Sequence, residues 1–121
     1  MNNDYEWQRD PSFVQIWTGL VGQLVRAREG NPAGPERLDL YSDLDAARRD
    51  IVYAPELCEP LIWANKTRAN RRHVEIGRHD FWTVVDIATN PNGTLFMIKI
   101  VSPSGTISGW TQQFYRLEPV P

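Results

Sequence analysis

The chain has 121 residues, 41% of them hydrophobic and 23% charged, with a net charge of −2 and an isoelectric point near 5.6. This length suits a single compact domain, the apolar content excludes a disordered chain, and no apolar run reaches the roughly 18 residues that cross a bilayer. A lone cysteine, Cys58, excludes an intramolecular disulfide framework and a multi-cysteine zinc site, and Met1-Asn2-Asn3-Asp4-Tyr5-Glu6 has neither part of a signal peptide, so a soluble, cytoplasmic protein without a membrane partner is expected.

Asp10 suits an N-cap and Pro11 the first position of a helix. Phe13, Ile16, Trp17, Leu20, Val21, Leu24 and Val25 then form one apolar helical stripe. Gly19 and Gly22 weaken that helix and mark either a close crossing or a strand. Gly30-Asn31-Pro32-Ala33-Gly34-Pro35 closes the element. Leu38-Asp39-Leu40-Tyr41 alternates, as a short strand or the first turn of the next helix. Ser42 or Asp43 caps that second helix, which runs through about Val52 with Leu44, Ala47 and Ile51 inside. A short third helix is expected from about Pro55 or Leu61 to Asn70.

Two near-identical turns punctuate the last third of the chain, Asn90-Pro91-Asn92-Gly93-Thr94 and Ser102-Pro103-Ser104-Gly105-Thr106. In each, proline takes the first corner and glycine the left-handed position that closes a hairpin. They define strands at about Phe81–Thr89, Thr94–Val101 and Ile107–Tyr115, rich in the residues strands prefer. With three-residue loops, one face carries Val84, Ala88, Phe96, Ile98, Ile100 and Trp110. The other carries Val85, Ile87, Leu95, Met97, Val101 and Ile107. Both faces are apolar, so the sheet needs two covers or must curl. The expected fold class is α+β: two or three N-terminal helices packed on a C-terminal three-stranded antiparallel meander that can curl into a small barrel. Residues 1–121 then make a single domain, with a mainly helical part at 1–72 and the β-meander part at 73–121.

The strand Trp82-Thr83-Val84-Val85-Asp86-Ile87, a glycine-containing turn and the closing Phe114-Tyr115-Arg116-Leu117-Glu118-Pro119-Val120 resemble small β-barrel modules of the KOW and Tudor type over residues 80–121. The resemblance implies a module that binds nucleic acid or protein, with aromatic residues on one rim, and points to no catalytic residue.

Charge is polarised along the chain. Residues 1–64 carry 11 acidic and 6 basic side chains, whereas residues 65–79 carry 1 acidic and 5 basic. Lys66, Arg68, Arg71 and Arg72, flanked by Trp63 and Trp82, are the candidate phosphate-binding set, with the two rings as stacking surfaces. A solvated face paired with the acidic half competes with that reading, and nucleic-acid domains are usually basic. His73, Glu75, His79 and Asp80 are the candidate metal or acid–base cluster, because His73 and Glu75 share a side of an extended chain. Their spacing matches no established zinc pattern. Asp39, Asp43, Asp45 and Asp50 lack the glycine and terminal glutamate of a calcium loop and read as caps and solvated positions. Cys58 has no activating basic neighbour and reads as an inert, buried thiol. No phosphate loop or cofactor motif is present in the sequence.

Five tryptophans are many for this length. Trp7, in a polar leader, and Trp110, which Gly109 leaves room beside, are the rings expected at the surface. The acidic isoelectric point, the doubly apolar sheet and the surplus of tryptophan favour a non-enzymatic binding or regulatory protein with a protein partner, of the kind found among bacterial or phage accessory factors, inhibitors and immunity proteins. Homodimerisation through the sheet is a corollary. A nucleic-acid module built on Lys66, Arg68, Arg71, Arg72 and Trp82 is the alternative, and a small metal-dependent enzyme built on the His73 cluster the second alternative.

Overall fold

The computed structural model describes residues 12–28, 36–50, 52–54, 59–61 and 71–121. Its strands are β1 (Leu24–Ala27), β2 (Glu36–Tyr41), β3 (Val52–Ala54), β4 (Glu59–Leu61), β5 (Arg71–Ile76), β6 (Trp82–Thr89), β7 (Leu95–Val101), β8 (Ser108–Thr111) and β9 (Leu117–Pro119), and its helices α1 (Ser12–Gly19) and α2 (Leu44–Asp50). Seven strands join in one antiparallel sheet in the order β5-β2-β8-β7-β6-β1-β9, and β3 pairs with β4. The sheet curls into a half-barrel.

This overturns the α+β expectation. The fold is β-dominant, and the part expected to be mainly helical supplies β1, β2 and the β3–β4 hairpin. The helical stripe misleads because the chain reverses after Leu20. Gly22 takes a φ of +87°, a left-handed turn most side chains resist, and its N–H donates to the Val84 carbonyl at 2.7 Å. Trp17 and Val25 therefore reach the same core from a helix and a strand, while Leu24 is turned outward. Leu38-Asp39-Leu40-Tyr41 is strand, within β2. Asp43 caps α2 as expected, its Oδ1 accepting from the Asp45 N–H at 3.0 Å, but α2 stops at Asp50 and Val52 begins β3. Glu59–Leu61 is strand where the third helix was expected to begin, and the rest of that helix, at 62–70, lies outside the described residues.

The three-stranded meander is present as β6, β7 and β8, inside a larger sheet. Gly93 and Gly105 both sit at positive φ, +89° and +80°. The first loop spans three residues, closed by the Asn90 N–H to the Thr94 carbonyl; the second spans four, closed by the Ser102 N–H to the Ile107 carbonyl.

Two bulges decide which side chains face inward. The β6–β7 register shifts between Val84 and Asp86 and again between Ala88 and Thr89. An extra residue in one strand flips everything beyond it to the other face. Val84, Ile87, Leu95, Ile98 and Ile100 consequently line the concave core with Val25, Leu38, Leu40, Ile76, Trp82 and Phe114, and Phe13, Val14 and Trp17 of α1, with Leu20 just after it, pack there too. Ala88, Phe96, Met97 and Trp110 belong to a second cluster on the convex face, with Tyr41 and with Leu44 and Ala47 of α2. The strict alternation expected for the two faces thus fails at Ala88 and Phe96 on one side and at Ile87 and Leu95 on the other, while Trp110 and Ile107 change sides because the second loop spans four residues instead of three, which pairs Trp110 with Lys99.

Candidate interaction surface

The convex face has two halves. Over β2, β8 and β7 it is covered by α2, whose Arg48 lies 4.6 Å from the Phe96 ring centre and donates to the Thr89 carbonyl at 2.9 Å. Beside it, Lys99 approaches the Trp110 ring at 5.9 Å, so cations shield the edges of this cluster. Over β6, β1 and β9 no described element covers the face.

Leu24 pairs with Thr83, and Thr83 with Val101, placing these side chains in one row across three strands. The Val120 N–H donates to the Leu24 carbonyl at 3.0 Å and extends the row to the last strand. Leu24 is 43% exposed, Val85 39% and Phe81 36%. Each points away from the concave core because its neighbour, Val25, Val84 or Trp82, points into it. The charges around them balance. Arg26 donates through Nε to Glu118 at 3.0 Å in register on β1 and β9, and Asp86 pairs in register with Lys99 on β6 and β7. The result is an apolar, electrically neutral patch on a rigid sheet, a surface suited to another protein.

The residues singled out from sequence do not converge. Trp82 and Trp110 are 4% and 8% exposed, so neither ring is available for stacking. Trp110 was expected at the surface because Gly109 leaves room beside it; β2 fills that room, pairing Tyr41 with Trp110. Arg71 and Arg72 lie on β5, an edge of the sheet, half-buried and exposed respectively. They point to opposite faces, since Arg71 pairs with Tyr41 and Arg72 with Leu40. Trp7, Lys66 and Arg68 lie outside the described residues, as does Cys58.

His73 and Glu75 share a face of β5, and each meets a partner across the strand. His73 Nδ1 pairs with Asp39 Oδ1, and Glu75 with Arg37 at 3.9 Å. The Asp39 N–H donates to Gln113 Oε1 at 2.6 Å, which ties this ladder to the segment after β8. Asp80 accepts from the Gly77 N–H at 2.8 Å and returns its own N–H to the Gly77 carbonyl, so it closes the turn into β6. Among the described residues, no group of three or more His, Cys, Asp or Glu side chains is placed to hold a metal ion.

Sequence reasoning missed Leu24 by assigning it to a helix, and passed over Val85 and Phe81 because strand alternation cannot tell a covered face from a bare one. The apolar character of both sheet faces was the available signal. No helix of the described residues is long and apolar enough to cross a membrane. Comparison with protein-family models, with curated proteins and with solved structures yields no match. The fold defines the class, a small β half-barrel.

Proposed function

We propose that this is a non-enzymatic binding protein that acts through a protein–protein interface on the bare half of its convex face. One observation carries the reading: Leu24, Phe81 and Val85 are exposed on the same outer face, around the Leu24–Thr83 pair, while α2 packs over the cluster on the other half of that face. Leaving three large apolar side chains in water forgoes burial that would favour association by roughly 25 cal/mol per Å2 of apolar surface. A neutral, preformed sheet also loses little conformational freedom when a partner docks. The resemblance of residues 80–121 to KOW and Tudor modules, which are themselves binding modules, agrees with this reading.

A photo-crosslinking amino acid at position 85, compared with one at the exposed turn residue Ser104, tests it in the protein's native cells. Position 85 should give a discrete protein adduct that Leu24→Asp in the same chain abolishes, and position 104 should not. An adduct of twice the chain mass would identify the partner as a second copy, and any other mass a different protein. Equal adducts from both positions, an adduct indifferent to Leu24→Asp, or none from position 85 would refute the interface.

A further inference from the structure

We propose that a groove between α1 and the C-terminal segment binds a small amphipathic anion, a molecule with an aliphatic or aromatic body and a carboxylate head. The groove measures about 350 Å3 and lies between Phe13, Ile16 and Trp17 of α1 and Phe114, Leu117 and Pro119 on the other side. That volume falls at the lower end of the range for small-molecule pockets, about 300–1,000 Å3. Its floor is rigid, because Trp17 meets Phe114 edge to face with ring centres 5.9 Å apart. Its wall is left unfinished, for Ile16 lines the groove and is still 52% exposed.

The charges at the mouth select the head group. Arg28 and Glu118 both line the groove. Glu118 accepts from Arg26 at 3.0 Å, so its charge is balanced. Arg28 gives one bond from Nη1 to the Tyr115 carbonyl at 3.1 Å, a neutral acceptor that orients the guanidinium and leaves its charge in place. A planar cation held at the rim of an apolar groove matches a carboxylate.

The backbone at this edge argues for a small molecule over an added peptide strand. The Val120 N–H to the Leu24 carbonyl and the Arg28 N–H to the Arg116 carbonyl turn the even-numbered residues of the last strand toward β1. Leu117 and Pro119 therefore face the free edge. The Leu117 N–H is already given to the Phe114 carbonyl, and proline has none, so the edge offers a strand no donor.

Calorimetric titration of the full chain at low salt with decanoate, decanol and decyltrimethylammonium tests the proposal. Decanoate should bind saturably below about 1 mM. Its affinity should exceed that of decanol by about two- to fivefold, the range for a solvent-exposed charge pair, and decyltrimethylammonium should bind weakest. Arg28→Gln should erase the preference for decanoate over decanol. Ile16→Glu, at an exposed helix position, should weaken decanoate by at least about fivefold, with the amide spectrum otherwise unchanged. Absence of saturable binding, equal affinity for decanoate and decanol, or a preference that survives Arg28→Gln would overturn it.

Discussion

Gly109 of β8 lies so close to β2 that a Cβ placed on it would stand 2.9 Å from the Cβ of Leu40 and 3.0 Å from the Tyr41 carbonyl oxygen. The missing side chain is what lets β2 lie against the meander, where Tyr41 pairs with Trp110. Without that approach, β2, which carries β5 on its other edge, would lose its pairing with the meander and keep links such as its core packing and the Asp39 N–H bond to Gln113 to the rest of the half-barrel.

Gly109→Ala should therefore destabilise the protein by about 1–3 kcal/mol, the usual cost of overpacking a filled interior. Urea denaturation followed by tryptophan fluorescence measures this, and Trp110 should become more accessible to a quencher. A change below about 0.5 kcal/mol would mean that the β2–β8 seam yields without strain.

The turn glycines should respond differently, since a Cβ at Gly93 or Gly105 would have no heavy atom within 4 Å. The cost there is one of backbone conformation alone. Either Gly→Ala change should cost about 1–2 kcal/mol, and Gly→Asn clearly less, because asparagine tolerates the left-handed region. Thermal unfolding of the two pairs of variants checks the ranking. Equal loss for alanine and asparagine would point to a steric cause.

Trp17 and Phe114 join α1 to the C-terminal segment, at 5% and 0% exposure, with their ring planes 68° apart. A double-mutant cycle with Trp17→Leu and Phe114→Leu should give a coupling of about 0.5–1.5 kcal/mol beyond the area each ring buries. Additive losses would show that the two rings only fill space.

Residues whose roles are local were legible. The two Pro-Gly turns were, because proline and glycine restrict or extend φ within a few residues whatever surrounds them. Asp43 was legible as a cap because its partner, the Asp45 N–H, is two residues away. The alternation at Leu38–Tyr41 left a strand and the first turn of the next helix equally open, and the structure makes it strand; the sharing of a face by His73 and Glu75 follows from strand period alone. The candidate surface was much less legible. Leu24 fitted a helical stripe as well as a strand, and only the turn at Gly22, bonded to Val84, separated the two. Trp110 looked free beside Gly109, but β2 occupies that space.

From its amino acids alone, then, this chain specified where it turns, which stretches are extended near its end, and that both faces of that ribbon are apolar. Tertiary structure decided the rest. It determined that strands from the first half complete a half-barrel, that two bulges reassign Ala88, Phe96, Ile87 and Leu95 between faces, and that, among the described residues, α2 covers one half of the outside while Leu24, Phe81 and Val85 stay exposed on the other. The reason is one of range. Turn and cap energies act between residues a few positions apart, whereas strand partners, register shifts and the cover over a face depend on contacts between segments tens of residues apart, which residue spacing does not encode.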